Sequence, residues 1–263
     1  MSESKNINEL FEEAQDEGML SPESAQALMV HDIGAQIQAG LGVSVDDVQS
    51  SEVVLVTMMV DDSGSIRFAG NAQAIRDGHN LVLESLMKSK QNDSILVHTQ
   101  YLNGTILYPY CALDQAVRMD NHNYDPNLGT PLYDQAVVLM GTVLAKTKEF
   151  SDNGVPVRTV SMILTDGSDQ HSRHHGARDV KHLVEDMLMA ETHIVAALGV
   201  DDSMGTDFRD IFREMGLRDE WILTPGSGES EIRRAFQVFS QSAVQASQGA
   251  LNFSKTAMGG FGS

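Results

Sequence analysis

Eight consecutive residues, Val53-Val54-Leu55-Val56-Thr57-Met58-Met59-Val60, run directly into Asp61-Asp62-Ser63-Gly64-Ser65. An apolar, β-branched-rich run with no polar alternation predicts a strand buried on both faces, as in a parallel sheet. The run ends in a carboxylate and two hydroxyls at alternate positions, with Gly64 available for a tight turn. Asp61, Ser63 and Ser65 would gather just past the carboxyl end of the strand, where open α/β sheets bind their ligands. Oxygen donors of this kind suit a hard cation.

Two later segments add oxygens to loops of the same sheet. Gly129-Thr130-Pro131-Leu132 opens a helical stretch, and Val160-Ser161-Met162-Ile163-Leu164-Thr165 is a second buried strand ending in Asp166-Gly167. Singly, each has an ordinary explanation: Thr130 before Pro131 reads as a helix cap, and Asp166-Gly167 as a turn. Jointly, Asp61-x-Ser63-x-Ser65, Thr130 within Gly-Thr-Pro-Leu and Asp166 within Thr-Asp-Gly resemble the metal-ion-dependent adhesion site (MIDAS) of von Willebrand factor A-type (VWA) domains, with the likeness covering residues 52 to 245. The resemblance implies a three-layer, Rossmann-like α/β fold with a six-stranded, mostly parallel sheet and helices on both faces. It also implies that Ser63 and Ser65 bind the metal directly, and that Asp61, Thr130 and Asp166 bind directly or through water. Asp62 holds the variable position and is not counted as a ligand. Few carboxylates among neutral hydroxyls favour Mg²⁺, with Mn²⁺ next, over Ca²⁺. The incompletely neutralised metal would keep an open position for an aspartate or glutamate of a partner protein.

The alternation of elements through the domain argues for a largely parallel sheet. Strands are expected near 53–60, 94–101, 104–112, 157–165, 192–198 and 220–224, and helices near 69–89, 132–149, 176–190, 206–215 and 229–246. Only Leu102-Asn103 separates the second and third strands, so these form a hairpin and the third is an antiparallel edge strand. Residues 1–51 read as an N-terminal helical extension. Ile7, Leu10, Phe11 and Ala14 mark one helix, and Ala25, Leu28, Met29, Ile33 and Ile37 mark a second over about 22–39. This stripe either packs on its own domain or serves as a docking arm. The VWA-like domain is expected over 52–246, and 247–263 as a flexible Gly/Ser-rich tail.

Eighteen basic against 37 acidic residues give a net charge of −19, which disfavours nucleic acid and anionic membranes as partners. A single cysteine, Cys111, excludes an internal disulfide. The start Met1-Ser2-Glu3-Ser4-Lys5-Asn6 lacks the basic and apolar regions of an export signal, so a cytoplasmic location is expected. Other candidates are weaker. His171, His174 and His175 lack the partners of a closed zinc site and read as solvated loop residues. Asn121-x-Asn123-x-Asp125 opens like a calcium loop but closes on Leu132 instead of an acid. In Asp201-Asp202-Ser203, a helix cap at Thr206 or Asp207 explains the segment.

The leading expectation is a non-enzymatic, protein-binding module. Among intracellular relatives such domains act as adaptors or substrate-recognition subunits for AAA+ ATPases of MoxR-like or chelatase type. The chain has no phosphate-binding loop, so that ATPase would be a separate polypeptide. One alternative is a Mg²⁺-dependent phosphohydrolase on a Rossmann-like sheet. The strand ending in Asp61 is similar to that of haloacid dehalogenase-type phosphatases, but that resemblance implies a second aspartate where Ser63 stands, and Ser65 and Thr130 offer hydroxyls with no paired base. A structural, self-assembling subunit is the other alternative.

Overall fold

In the computed structural model, residues 6–29, 33–202 and 204–262 are described. Six strands, β1 (Val53–Val60), β2 (Ile95–Tyr101), β3 (Ile106–Ala112), β4 (Val157–Thr165), β5 (His193–Gly199) and β6 (Ile222–Leu223), form one sheet in the order β3-β2-β1-β4-β5-β6. All pairings are parallel except the β2–β3 hairpin, which places β3 antiparallel at the edge. The chain leaves β1 to one side for β2 and β3, then returns past it to β4. The sheet therefore reverses direction beside β1, and such a switch point opens a crevice at the strand carboxyl ends.

The expected double burial of the central strands holds: every residue of β1 and β4 is buried. Their side chains alternate between two cores. Val54, Val56, Met58 and Val60 face one layer, while Met59 faces the other.

The helices are α1 (Ile7–Asp16), α2 (Pro22–Met29), α3 (Gly34–Gly40), α4 (Gly64–Phe68), α5 (Ala72–Met87), α6 (Leu132–Asp152), α7 (Ala177–Met189), α8 (Phe208–Glu214), α9 (Glu229–Ala246) and α10 (Ala250–Gly259). On one face of the sheet α5 and α9 pack together through Ile75, Val82, Leu86, Ile232, Phe236 and Phe239. On the other lie α6, α7 and α8. Among the described residues no helix is long and apolar enough to cross a membrane.

The N-terminal stripe packs on its own domain. Phe11, Leu28 and Ile37 are fully buried in one cluster with Leu139 and Val143 of α6. With the sheet below it and α1–α3 above, α6 is buried around most of its girth, the condition in which a helix can be apolar all round. Polar ties secure the layer: Ser21 N and Oγ donate to Asp186 Oδ2 at 2.7 and 2.8 Å, and Lys148 Nζ meets Glu17 at 2.8 Å. Farther along, Val43 N donates to Tyr110 O at 2.9 Å, and the buried Lys146 donates to Val43 O. Gly42 has φ +61° and a Cβ there would fall 2.0 Å from Tyr110 O, so only glycine fits this approach to β3.

Three expectations need correction. The single helix over 22–39 is two helices, since α2 ends at Met29 and α3 starts at Gly34; residues 30–32 of that expected helix lie outside the described residues. Gly34 is costly in a helix interior but acceptable at an end. Residues 250–259, expected within a flexible tail, form α10, anchored by Phe253 at 1% exposure, and Trp221 stacks edge-on against Phe261 at 4.9 Å. Burial of these aromatics outweighs the local glycine content. Finally, Gly64 opens α4 without a positive φ, so the turn after β1 does not depend on a left-handed glycine.

Candidate metal centre

The parallel register sets Val60 beside Leu164, so the residues that follow leave β1 and β4 side by side. Asp61 N continues the pairing by donating to Leu164 O at 3.0 Å. Past this point the two chains diverge and their side chains meet. Ser63 Oγ lies 2.8 Å from Ser65 Oγ, Ser65 Oγ donates to Asp166 Oδ1 at 2.6 Å, and Ser63 Oγ lies 3.4 Å from that same oxygen. These edges bracket the spacing of about 3 Å between adjacent oxygens around an octahedral ion with bonds of about 2.1 Å.

Asp61 is fully buried and braces the two loops. Its Oδ1 accepts from Ser63 N at 2.7 Å, and its Oδ2 accepts from Thr165 Oγ1 at 2.6 Å and Asp166 N at 3.3 Å. From the third side, Tyr124 donates its hydroxyl to Asp61 O at 2.5 Å. The loop carrying Tyr124 is tied down through Asp62 O, which accepts from Asn127 N and Leu128 N at 2.9 and 3.1 Å. The same loop delivers Thr130 opposite Gly167, where a Cβ would stand 3.8 Å from Thr130 Oγ1.

The hydrogen-bond partners of Asp61 and Asp166 among the described residues are all neutral. Burial pushes the Asp166 carboxyl up to about 7, the neighbouring Asp61 charge adds to this, and the Ser65 and Ser63 hydroxyls oppose it. Burial likewise raises Asp61 above the usual carboxylate range, against hydrogen bonds from Ser63 and Thr165. Asp62, whose carboxylate accepts from the Asn103 backbone and side chain, is also pushed up to about 7 by burial. Buried carboxylates without a cation are costly in the charged form. Among the described residues no cluster of three or more His, Cys, Asp or Glu side chains is placed to hold a metal. The donor set here has two carboxylates and is completed by hydroxyls.

No family model matches the chain, and no curated protein matches it in sequence. Solved structures do match. The pilus adhesin SpaC from Lactobacillus rhamnosus GG, in its open conformation, superposes with a TM-score of 0.54 at 15% identity, covering 75% of this chain and 31% of SpaC. The vWF domain of the type V pili tip protein Mfa5 from Porphyromonas gingivalis gives 0.51 at 10% identity, covering 76% of this chain and 98% of that domain. The fold is of the von Willebrand factor A type. The chain thus spans under a third of SpaC and nearly the whole of the Mfa5 domain, and at these identities the likeness is one of architecture.

Within this VWA-type fold, four of the five sequence-derived residues, Asp61, Ser63, Ser65 and Asp166, are brought into one hydrogen-bonded group. Thr130 stands beside them, 5% exposed, and its hydroxyl is not bonded to the other four. Nor does it cap α6: Ser172 Oγ accepts from Tyr133 N and Asp134 N at 3.0 Å each. The expectation that the Ser65 hydroxyl has no paired base is corrected by the 2.6 Å contact with the Asp166 carboxylate. The histidines after Asp166 do not behave alike. His175 is buried, with Nδ1 at 3.0 Å from Asp134 Oδ1 and Nε2 at 3.0 Å from Ala27 O, and His171 Nδ1 accepts from Thr130 N at 2.9 Å. Asp207 caps α8 as expected, accepting from Asp210 N at 3.1 Å. Sequence reasoning missed Thr165 and Tyr124. Thr165, adjacent to Asp166 at a strand end, carried some signal; Tyr124 reaches across 63 positions to a backbone carbonyl and carried none.

Proposed function

We propose that the chain is a protein-binding module that holds Mg²⁺, or Mn²⁺, at Asp61, Ser63, Ser65, Thr130 and Asp166 and offers an open coordination position to an Asp or Glu of a partner protein. The observation that carries this reading is the triangle of Ser63, Ser65 and Asp166 oxygens, set beside two buried carboxylates with only neutral partners. A dication would supply the missing positive charge and bring the carboxylates back to their ionised form at neutral pH. The chain's own part is to fix the donors: Asp61 orients the Ser63 and Asp166 backbones, and Thr165 orients Asp61.

The adaptor role beside an AAA+ ATPase and the cytoplasmic setting belong to this proposal, supported by the sequence resemblance and the lone buried Cys111. The acidic balance of the chain suits a partner with a basic surface around its coordinating carboxylate. A hydrolytic role of the haloacid dehalogenase type is disfavoured because Ser63 occupies the position where such phosphatases carry a second aspartate. Calorimetric titration of Mg²⁺ and Mn²⁺, followed by pull-down from native lysate in Mg²⁺ and in EDTA, tests the reading. Metal binding with a partner retained only in Mg²⁺ supports it. Absence of metal binding, or turnover of an aryl phosphate that is lost in Asp61→Asn, overturns it.

A further inference from the structure

The loop between β4 and α7 grips the start of α6 in both directions. Side chains of the loop cap α6, through Ser172 on Tyr133 N and Asp134 N. In return the Asp134 carboxylate accepts the backbone N–H groups of Arg173, His174 and His175 at 2.8, 3.2 and 2.8 Å. Just ahead of this clasp, two consecutive residues close on Thr130. Gln170 N and His171 N donate to Thr130 O at 3.1 and 3.2 Å, while His171 Nδ1 accepts from Thr130 N at 2.9 Å. The imidazole lies so close over Gly129 that a Cβ there would fall 2.8 Å from Nδ1.

We infer that His171 is a positioning residue of the metal centre, holding the Thr130 backbone so that its hydroxyl is presented beside Asp166. This rests on the metal-binding reading above and deepens it. Ser63, Ser65 and Asp166 set one another's positions through mutual hydrogen bonds, and Asp61 is fixed by three donors. Thr130 has no such tie through its side chain, and it is not a helix cap. The placement of its hydroxyl follows from its backbone, and that backbone is gripped on both polar atoms by residues 170 and 171. Because His171 stands five residues beyond Asp166 on the same loop, the grip locks the spacing between the loop after β4 and the start of α6. A shift of either loop would be passed to the other.

The test compares the unmutated protein with His171→Ala, His171→Asn and, as a control on an exposed imidazole farther back on the loop that carries Thr130, His122→Ala. Two quantities are read: amide hydrogen exchange at Thr130 in metal-free protein, and Mn²⁺ affinity by electron paramagnetic resonance. Loss of one backbone hydrogen bond predicts that His171→Ala speeds exchange at Thr130 about tenfold and weakens Mn²⁺ binding by about five- to tenfold. Asparagine can present Oδ1 near the position of Nδ1, so His171→Asn restores both to within about twofold, and His122→Ala matches the unmutated protein. Unchanged exchange and affinity in His171→Ala overturn the inference. So does equal impairment in the alanine and asparagine variants, which would assign the effect to ring volume. Faster exchange with unchanged affinity also overturns it, by showing that the grip does not serve the metal. If the unmutated protein binds no Mn²⁺, the metal-binding reading fails with it, and that case is recognised by the absence of signal before any substitution.

Discussion

Two buried polar clusters hang from the same sheet, and they solve burial in opposite ways. Between α5 and the β2–β3 hairpin, His79 Nε2 lies 3.1 Å from both Thr99 Oγ1 and Tyr108 OH, and Thr99 Oγ1 donates to Tyr108 OH at 2.7 Å. Burial holds His79 down at about 4, so the group is neutral and its polar atoms satisfy one another. At the carboxyl ends of β1 and β4, burial instead drives Asp62 and Asp166 up to about 7, because acidic side chains are enclosed with neutral partners. The first cluster is a closed account of hydrogen bonds that specifies packing. The second leaves carboxylates that the chain does not balance with a cation, the feature on which the metal-binding proposal rests.

The largest expected effect breaks the second cluster. Asp61→Ala with Asp166→Ala should weaken Mg²⁺ binding by at least about 100-fold by calorimetry. The melting temperature in EDTA should stay level or rise, since two buried, uncompensated carboxylates are gone; an unfolded double mutant would mean that they are structural. Breaking the first cluster should do the reverse. His79→Ala should cost about 2–3 kcal/mol in urea unfolding, from the cavity and the hydroxyls left with fewer partners, with Mg²⁺ affinity unchanged within about twofold.

Acidity separates the clusters by sign. A carboxyl raised from 3.8 to about 7 on folding binds its proton in the folded state first, so stability from that cluster falls as pH rises from about 4 to 7. His79, His98 and His193, held at about 4 against 6.5, bind protons first in the unfolded state, so their stability is lost as pH falls from 6.5 towards 4. Melts in EDTA between pH 5 and 8 should therefore show opposed, partly cancelling slopes. Saturating Mg²⁺ should remove the first slope and leave stability declining only towards acid. A profile that Mg²⁺ does not alter would count against uncompensated buried carboxylates in the second cluster. The smallest effect is expected for Tyr124→Phe, which deletes one hydrogen bond to Asp61 O. It should cost about 1 kcal/mol of stability and weaken Mg²⁺ binding only a few-fold.

The open cluster was largely legible in the sequence and the closed one was not. Asp61, Ser63, Ser65 and Asp166 lie at the ends of continuous apolar runs, which placed donors at strand carboxyl ends, and the resemblance to a MIDAS implied that they act together; the β2–β3 hairpin followed from its short connection. His79 falls in the helix expected near 69–89, but its role was not readable there, because its partners Thr99 and Tyr108 are defined by strand register. The helix over 250–259 carried its own signal, Ala250, Phe253 and Ala257 at helical spacing, but glycine and serine content concealed it. His175 looked like a loop residue because its burial depends on Ala27 O, 148 positions away.

The Gly42–Val43 crossing has a consequence for how this molecule can be bound at all. It occupies part of the free side of β3 through Val43 N and Tyr110 O, and at the opposite end of the sheet β6 offers only two residues. The crossing interrupts the free side of β3 at Tyr110 and β6 is short, so recruitment by β-augmentation and sheet-to-sheet polymerisation are both disfavoured. The partner proposed above would be steered towards the loops at the strand carboxyl ends, with recognition by side chains instead of by main-chain pairing.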